Sequence, residues 1–172
     1  MICIEDVFRD IIVKLNTNLA DKEINVCFQF GTLREIVDNL NSLTQVNAGK
    51  YPLIALIEPF PQQKGISQIE ARLKLRFLIA TYTSRELKAD ERLELNFKPI
   101  LFPVYDAFIR EIKHSEYFRT EEIKHTLVNH FEIGKETLEG YDGSVFNDHI
   151  DAIELKDMEL DIKNKQCNIK NF

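Results

Sequence analysis

Apolar positions at the start of the chain repeat every three or four residues, which is the spacing of one face of an α-helix. Glu5 and Asp6 lie in its first turn, where acidic side chains interact favourably with the helix dipole. The pattern therefore predicts an amphipathic N-terminal helix. Its apolar positions are Ile4, Val7, Phe8, Ile11, Ile12, Leu15 and Leu19.

The next two elements read as a strand followed by a helix. Apolar and polar side chains alternate from Ile24 to Phe30, which predicts a half-buried strand that stops at Gly31. Thr32 and Glu35 have the spacing of a capping box, so a second helix is expected to begin there. Its apolar positions are Leu33, Ile36, Val37, Leu40 and Leu43.

The middle of the chain predicts two strands joined by a loop. A short apolar run between Pro52 and Pro59 indicates a strand buried on both faces. Residues 60–67 predict a hairpin loop with an exposed aromatic side chain, Phe60, at its base. A long strand is expected beyond this loop, antiparallel to its predecessor. Its apolar positions are Leu73, Leu75, Phe77 and Ile79.

Two prolines precede the third helix. Pro99 and Pro103 each fix their own φ and push the preceding residue toward extended geometry, which predicts a shaped, non-helical segment. Residues 84–95, before it, are charged and are expected to be irregular. The third helix should end near Lys113 to Ser115. Its apolar face consists of Val104, Ala107, Phe108, Ile109 and Ile112.

The last part of the chain predicts two more strands. Residues 121–133 fit neither helical nor strand periodicity cleanly, and we favour a strand; residues 134–143 indicate a loop. The final strand is expected over residues 153–162. Its alternation slips by one residue at Lys156 and Asp157, which a β-bulge explains because one extra residue restores the inward face.

These elements predict one domain of the α+β class over residues 1–162, followed by a polar C-terminal tail over residues 163–172. The expected architecture is an antiparallel-rich sheet packed against the N-terminal helix and two further helices. A chain of 172 residues buries roughly 70% of its unfolded surface, so a substantial core is available.

Composition narrows the possible environments. Cys3, Cys27 and Cys167 are far apart and lack the paired spacing of a zinc or redox site, which indicates reduced thiols. No apolar run reaches the roughly 18 residues that span a bilayer, and the first residues lack the pattern of a signal peptide. We therefore expect neither membrane insertion nor secretion.

The net charge of −6 is unevenly distributed. Residues 121–162 carry twelve acidic residues against Lys124, Lys135 and Lys156, a balance of −9, whereas residues 163–172 carry +3. Phosphate binding requires clustered Lys and Arg, so nucleic-acid binding is not predicted. An acidic face either improves solubility or repels DNA.

Candidate catalytic residues form one weak pattern. The imidazoles of His114, His125, His130 and His149 lack metal-ligand spacing, and the carboxylates around His149 favour a polar turn before the last strand over a metal site. Asp142, Glu154 and Lys156 resemble the acid and Glu-x-Lys of Mg²⁺-dependent restriction-endonuclease-like nucleases. An acid two residues before a lysine occurs four more times in the chain, so chance accounts for the pattern.

A family resemblance depends on the order of the elements: the N-terminal helix, the YPLI strand from Tyr51, the hairpin, the segment from Asn96 to Pro103 with its helix, and the strand within residues 147–162. This order resembles tail terminator and tail-completion proteins of tailed bacteriophages, and related neck proteins. Residues 85–95 and 134–143 are longer than a minimal member needs.

Members of that family have an α+β fold and no enzymatic activity, and they form a sixfold ring that joins the tail tube to the head while DNA passes through the centre. The resemblance implies a structural virion protein, assembled in the bacterial cytoplasm. Its expected partners are copies of itself, most simply as a hexamer, and other tail, neck or portal proteins. It implies no catalytic residue, metal or cofactor.

Ring formation requires surfaces that meet head to tail and close on themselves. The candidates for this contact are Phe60, Pro61, Phe97 and Phe102, because large aromatic side chains anchor interfaces. An ordinary position in the core is the alternative for each phenylalanine, and Phe60 is the strongest candidate. Two other hypotheses remain open: the Mg²⁺-dependent nuclease, and a monomeric adaptor of unknown partner.

Overall fold

A computed structural model describes residues 3–42, 49–64, 69–133 and 148–163 of the chain. Its strands are β1 (Cys27–Gly31), β2 (Leu53–Ile57), β3 (Gln62–Lys64), β4 (Ile69–Tyr82), β5 (Phe118–Ile133) and β6 (Ile150–Lys163). Its helices are α1 (Ile4–Asn18), a 3₁₀ turn (Ala20–Lys22), α2 (Leu33–Ser42), α3 (Ala89–Arg92), a π-helix (Leu93–Leu101) and α4 (Phe102–His114).

All six strands belong to one mixed sheet with the order β1-β2-β4-β6-β5, and β3 pairs with β4 beside the end of β2. The β1–β2 pair is parallel and the other pairs are antiparallel. The predicted α+β class and antiparallel-rich sheet are confirmed. Every residue of β2 is buried, as the apolar run predicted. β1 begins at Cys27, three residues later than the alternation suggested.

The larger core lies on the sheet face that α1 and α4 cover. Phe8 of α1 packs edge-on against Phe77 of β4 with 4.8 Å between ring centroids, and Phe77 packs against Phe108 of α4 at 5.0 Å. All three rings are fully buried. A fully buried phenylalanine contributes about 1.5–3 kcal/mol relative to an exposed one, so this aromatic cluster holds both helices against the sheet.

Helix α2 covers the opposite face of the sheet. Leu33, Ile36, Val37 and Leu40 are buried there against apolar residues of β2, β4 and β6. The predicted capping box begins this helix: the Glu35 N–H donates to Thr32 Oγ1 at 3.2 Å, and the Thr32 N–H donates to Glu35 Oε2 at 2.9 Å. Apolar cores therefore lie on both faces of the sheet.

The segment between Ala89 and His114 differs from its prediction. It is helical throughout, and Pro99 lies inside the π-helix rather than in an extended segment. The Phe102 N–H donates to the Phe97 carbonyl, five residues back, as in a π-helix. Burial of Phe97 and Leu101 on one side of this helix overrides the local preference of the prolines for extended geometry. Of residues 84–95, which were expected to be irregular, only those before Ala89 are non-helical.

The predicted β-bulge is confirmed in β6. Leu75 pairs with Met158 and Phe77 pairs with Leu155, so two steps along β4 match three along β6. Asp157 adopts a positive φ of 55° at this point. The extra residue keeps Met158, with Leu160 and Ile162 beyond it, facing the larger core.

A buried ionic cluster fastens the helical segment to the sheet. The Arg92 guanidinium is 3.2 Å from Asp151 Oδ1 in β6 and 2.9 Å from Glu132 Oε2 in β5. Asn96 donates to Asp151 Oδ2 at 2.6 Å, and the Glu132 N–H donates to Asp151 Oδ1 at 2.9 Å. Thr83 Oγ1 accepts from Asn96 at 3.0 Å. Asp151 is completely buried, so these donors replace the water that its carboxylate lost.

We predict that Asp151→Ala lowers the free energy of unfolding by about 3–5 kcal/mol, because it leaves the buried Arg92 without its fully buried counter-charge. Denaturant titration measures the change. Asp161→Ala is the matched control: Asp161 also lies on β6 and pairs with an arginine, but its partner Arg72 is exposed to solvent. We expect a much smaller loss for the control. Equal losses in both variants would contradict a special role for the buried cluster.

Candidate functional site

Phe60 and Pro61 lie on the arm of the hairpin before β3, where the interface was predicted. Phe60 is half-buried and packs against the larger core, so the prediction that its side chain is exposed is wrong. Pro61 is exposed, and its carbonyl accepts the Lys74 N–H at 3.2 Å. Consecutive residues of an extended chain point to opposite sides, which places Phe60 inward and leaves Pro59 and Pro61 outward.

Pro59 and Pro61 line an open surface cavity of about 480 Å³ together with side chains from β4 and β6. Its cationic lining consists of Lys74, Arg76 and Lys156, and Asp157 is its one carboxylate. Lys74 lies 3.1 Å from that carboxylate, and Arg76 lies 2.7 Å from Glu154. Lys74 and Arg76, which line the cavity beside the two prolines, are thus both paired with carboxylates.

Phe97 and Phe102 occupy different positions in the fold. Phe97 is completely buried in the larger core, so its side chain is not presented to a partner on the surface of this chain. Its ring packs against Phe131 of β5 at 4.6 Å and against Phe102 at 5.8 Å between centroids. Phe102 is half-buried. Phe131, which is 44% exposed, packs over Phe97 and is the most exposed residue of this group.

Two strands of the sheet have a neighbour on one side only. Within the described residues, β1 pairs with β2 alone and β5 pairs with β6 alone, so these strands form the two ends of the sheet. Backbone N–H and C=O groups along such an edge are available to another strand. Three exposed large apolar side chains belong to these two strands: Phe30, Leu127 and Phe131. Sequence reasoning missed the edges because pairing order is a property of the whole sheet.

The candidate nuclease residues come together only in part. Glu154 Oε2 and Lys156 Nζ are 3.8 Å apart, because residues two apart on a strand share a face, while Asp142 lies outside the described residues. The Glu154 side chain is only 1% exposed; its Oε1 accepts from Arg76 at 2.7 Å and its Oε2 lies 2.8 Å from His130 Nε2. Both carboxylate oxygens therefore have partners within the chain.

The same contacts set the ionisation of Glu154. Burial of its carboxyl group opposes ionisation, but the hydrogen bond with His130 and the positive charges of Arg76 and Lys156 outweigh that effect. The pKa of Glu154 is consequently lowered from its ordinary value. This is the behaviour of a carboxylate that stabilises the fold through ion pairs.

The polar turn around His149 connects three parts of the chain. The His149 carbonyl accepts the Thr83 N–H at 2.9 Å, and Asp148 accepts from Lys50 Nζ at 3.3 Å and from the Tyr51 hydroxyl at 3.1 Å. Burial and the neighbouring Asp148 carboxylate raise the pKa of Tyr51. The turn thus precedes the last strand, as the sequence indicated. No group of three His, Cys, Asp or Glu side chains suited to a metal ion occurs within the described ranges.

Four of the acidic residues of the C-terminal third, all on β6, are paired with cationic side chains. Each of four acidic residues of that strand lies within 3.2 Å of a cationic side chain from outside the strand. The pairs are Asp151 with Arg92, Glu154 with Arg76, Asp157 with Lys74 and Asp161 with Arg72. An acidic surface facing DNA would therefore need residues other than these four.

The fold and the site define an α+β protein with several ionic clusters and, over the ranges that the structure describes, two sheet edges without a strand neighbour. No protein-family model, curated protein or solved structure matches the chain. None of the helices in the described part of the chain is long and apolar enough to cross a membrane.

We predict that the Glu154 cluster makes stability depend on acidic pH. Because the pKa of Glu154 is lower in the folded chain, its contribution is complete above the ordinary glutamate pKa of about 4.3 and is lost as the pH falls toward the folded value. Glu154→Gln should lower the free energy of unfolding at pH 7 by about 1.5–3 kcal/mol. It should also make the free energy of unfolding fall less steeply as the pH drops below about 4.3. Denaturant titrations from pH 3 to pH 7 measure both effects.

The control for this prediction is Glu159→Gln, which removes an exposed carboxylate from the same strand. It should leave stability at pH 7 nearly unchanged. If the free energy of unfolding falls equally steeply with acidic pH in Glu154→Gln and in the unmodified chain, Glu154 is not the source of this pH dependence.

Proposed function

We propose that this chain is a structural virion protein of a tailed bacteriophage or prophage, acting as a tail terminator or neck component. In this role it forms a ring at the head–tail junction, contacts other tail, neck or portal proteins, and lets DNA pass through the ring without specific binding. The activity is assembly, and the chain catalyses no reaction in it.

One observation carries this proposal: within the described residues, a single sheet ends in two different strands, each with one edge that no other strand pairs with and with exposed apolar side chains. A surface at one end that fits a different surface at the other end produces head-to-tail contacts. Such heterologous contacts build a closed ring when the rotation between neighbours closes. A protein that is complete as a monomer usually blunts or covers its edge strands.

The order of elements gives further support. The amphipathic N-terminal helix, the strand after Pro52, the hairpin, the helix ending at His114 and the final strand, on which the family resemblance depends, occur in the fold. The segment from Asn96 to Pro103, on which it also depends, is helical and not the extended segment that was expected. Four acidic residues of β6 are paired with cationic side chains, so they do not support the argument that an acidic surface repels DNA. Repulsion of DNA would fall to other acidic residues, among them Glu136, Glu139 and Asp142, which lie outside the described residues.

The contacts of Glu154 favour assembly over the nuclease hypothesis. A Mg²⁺ site needs carboxylate oxygens that are free to bind the ion. Arg76, His130 and Lys156 surround the Glu154 carboxylate instead. A supporting test incubates DNA with the protein and Mg²⁺: intact DNA is expected, and cleavage that disappears in Glu154→Ala would establish the nuclease.

We predict that the purified protein has a mass several times 20.1 kDa, or reaches that state when it meets tail tubes. Light scattering over a range of concentrations and negative-stain electron microscopy measure this. Phage particles made without the protein should appear as tailless heads beside overlong tubes. A single 20.1 kDa species at every concentration, with or without tubes, would favour the monomeric adaptor, and normal particles would overturn the proposal.

A further inference from the structure

We infer that neighbouring copies of the chain join by pairing β1 in one protomer with β5 in the next, along the edges that have no strand neighbour among the described residues. This inference rests on the proposed function and assigns the surface through which the ring is built. It commits to a second copy of this chain as the occupant of both edges. Four properties of the two edges lead to it: strand direction, side-chain rows, exposure and charge.

Strand direction makes the two edges compatible. β1 runs parallel to β2, which is antiparallel to β4; β4 is antiparallel to β6, and β6 is antiparallel to β5. β1 and β5 therefore run in opposite directions at the two ends of one sheet. When copies are related by a rotation about an axis along the strands, β1 of one copy meets β5 of the next as an antiparallel pair. This is the more stable of the two pairing geometries.

Side-chain rows continue from one edge to the other. Phe30 of β1 pairs with Leu56 of β2, and Leu127 of β5 pairs with Leu155 of β6. Phe77 of β4 pairs with both Leu56 and Leu155, so all five residues lie in one row across the sheet. Directly opposite residues of neighbouring strands share a face of the sheet. Phe30 and Leu127 therefore project from the face that carries the larger core.

Exposure is matched on the two sides of this row. Phe30 is 37% exposed and Leu127 is 39% exposed, although their row partners Leu56, Phe77 and Leu155 are fully buried. Phe131 adds an exposed ring on β5, and Val13 of α1, one helical turn after the Arg9 that lies over the Phe30 ring, adds an exposed side chain near β1. Joining the edges would bury apolar surface contributed by both protomers.

Charge selects the part of β5 that meets β1. The five residues of β1 are uncharged at neutral pH, and so is the stretch Thr126–Phe131 apart from the ionisable His130. The preceding part of β5 contains Arg119, Glu121, Glu122 and Lys124. Edge strands that must stay single usually carry charges or proline, and neither occurs in these two stretches. With the rows in line, Cys27–Gly31 falls opposite Thr126–His130.

A disulfide cross-link tests this pairing. In a background of Cys3→Ser, Cys27→Ala and Cys167→Ser, the variant Phe30→Cys with Leu127→Cys places one thiol on each edge. Opposite residues of an antiparallel pair are close enough for a disulfide. We expect mild oxidation to produce a ladder of covalent dimers, trimers and larger species on a non-reducing gel, which collapses to one band on reduction. Phe30→Cys with Asn129→Cys or Phe131→Cys covers the neighbouring registers.

The control pairs Phe30→Cys with Tyr82→Cys in the same background. Tyr82 is 41% exposed, which is close to the 39% of Leu127. It lies on the interior strand β4, so no ladder is expected. The variant with Leu127→Cys alone should remain a single band. Covalent dimers from this single variant would show a two-fold β5–β5 contact and overturn the inference.

A second variant separates the inference from the proposed function. Leu127→Lys puts a charge into the apolar contact and should reduce the mass to 20.1 kDa while the far-ultraviolet circular dichroism stays unchanged; Tyr82→Lys should keep the full mass. A multimer that shows no ladder in any register and survives Leu127→Lys would overturn this interface and leave the proposed ring intact. A monomer at every concentration, with or without tail tubes and without a ladder, would overturn both.

Discussion

The antiparallel pairing of β4 with β6 is the interaction on which the rest of the structure depends. These two strands form the centre of the sheet, and their buried side chains contribute to the apolar cores on both faces. The bulge at Lys156 and Asp157 lets β6 follow β4 along its length while Met158 stays in the larger core. Without the extra residue, the alternation beyond it would turn apolar side chains toward solvent.

Buried charge has a structural role on this framework. Arg92 joins the helical segment to β5 and β6 through Asp151 and Glu132, and Arg76 and His130 hold Glu154 between β4 and β5. Each carboxylate loses water on burial, and each receives hydrogen bonds from neighbouring strands or helices in return. Three of the acidic residues of the C-terminal third, Glu132, Asp151 and Glu154, therefore hold strands and helices together.

The open edges follow from the connections between strands. The chain places its first strand at one end of the sheet and the long strand β5 at the other, so neither end strand has a second strand neighbour in the described part of the chain. Apolar side chains at both ends share one face, which makes the two ends complementary to each other. An assembly role needs such complementarity more than it needs a deep pocket or a reactive side chain. The proposed ring depends on this match between the two edges.

Periodicity and local turn chemistry determined much of this fold from the sequence alone: helix α1, the capping box of Thr32 and Glu35, the buried strand after Pro52 and the bulge at Asp157 all depend on near neighbours. The tertiary structure alone decided the helical path through Pro99, the burial of Phe97, and the partners of Glu154. Packing against distant strands outweighs local preference at those positions. The two free edges also belong to this second group, because an edge exists only once every strand has its neighbours.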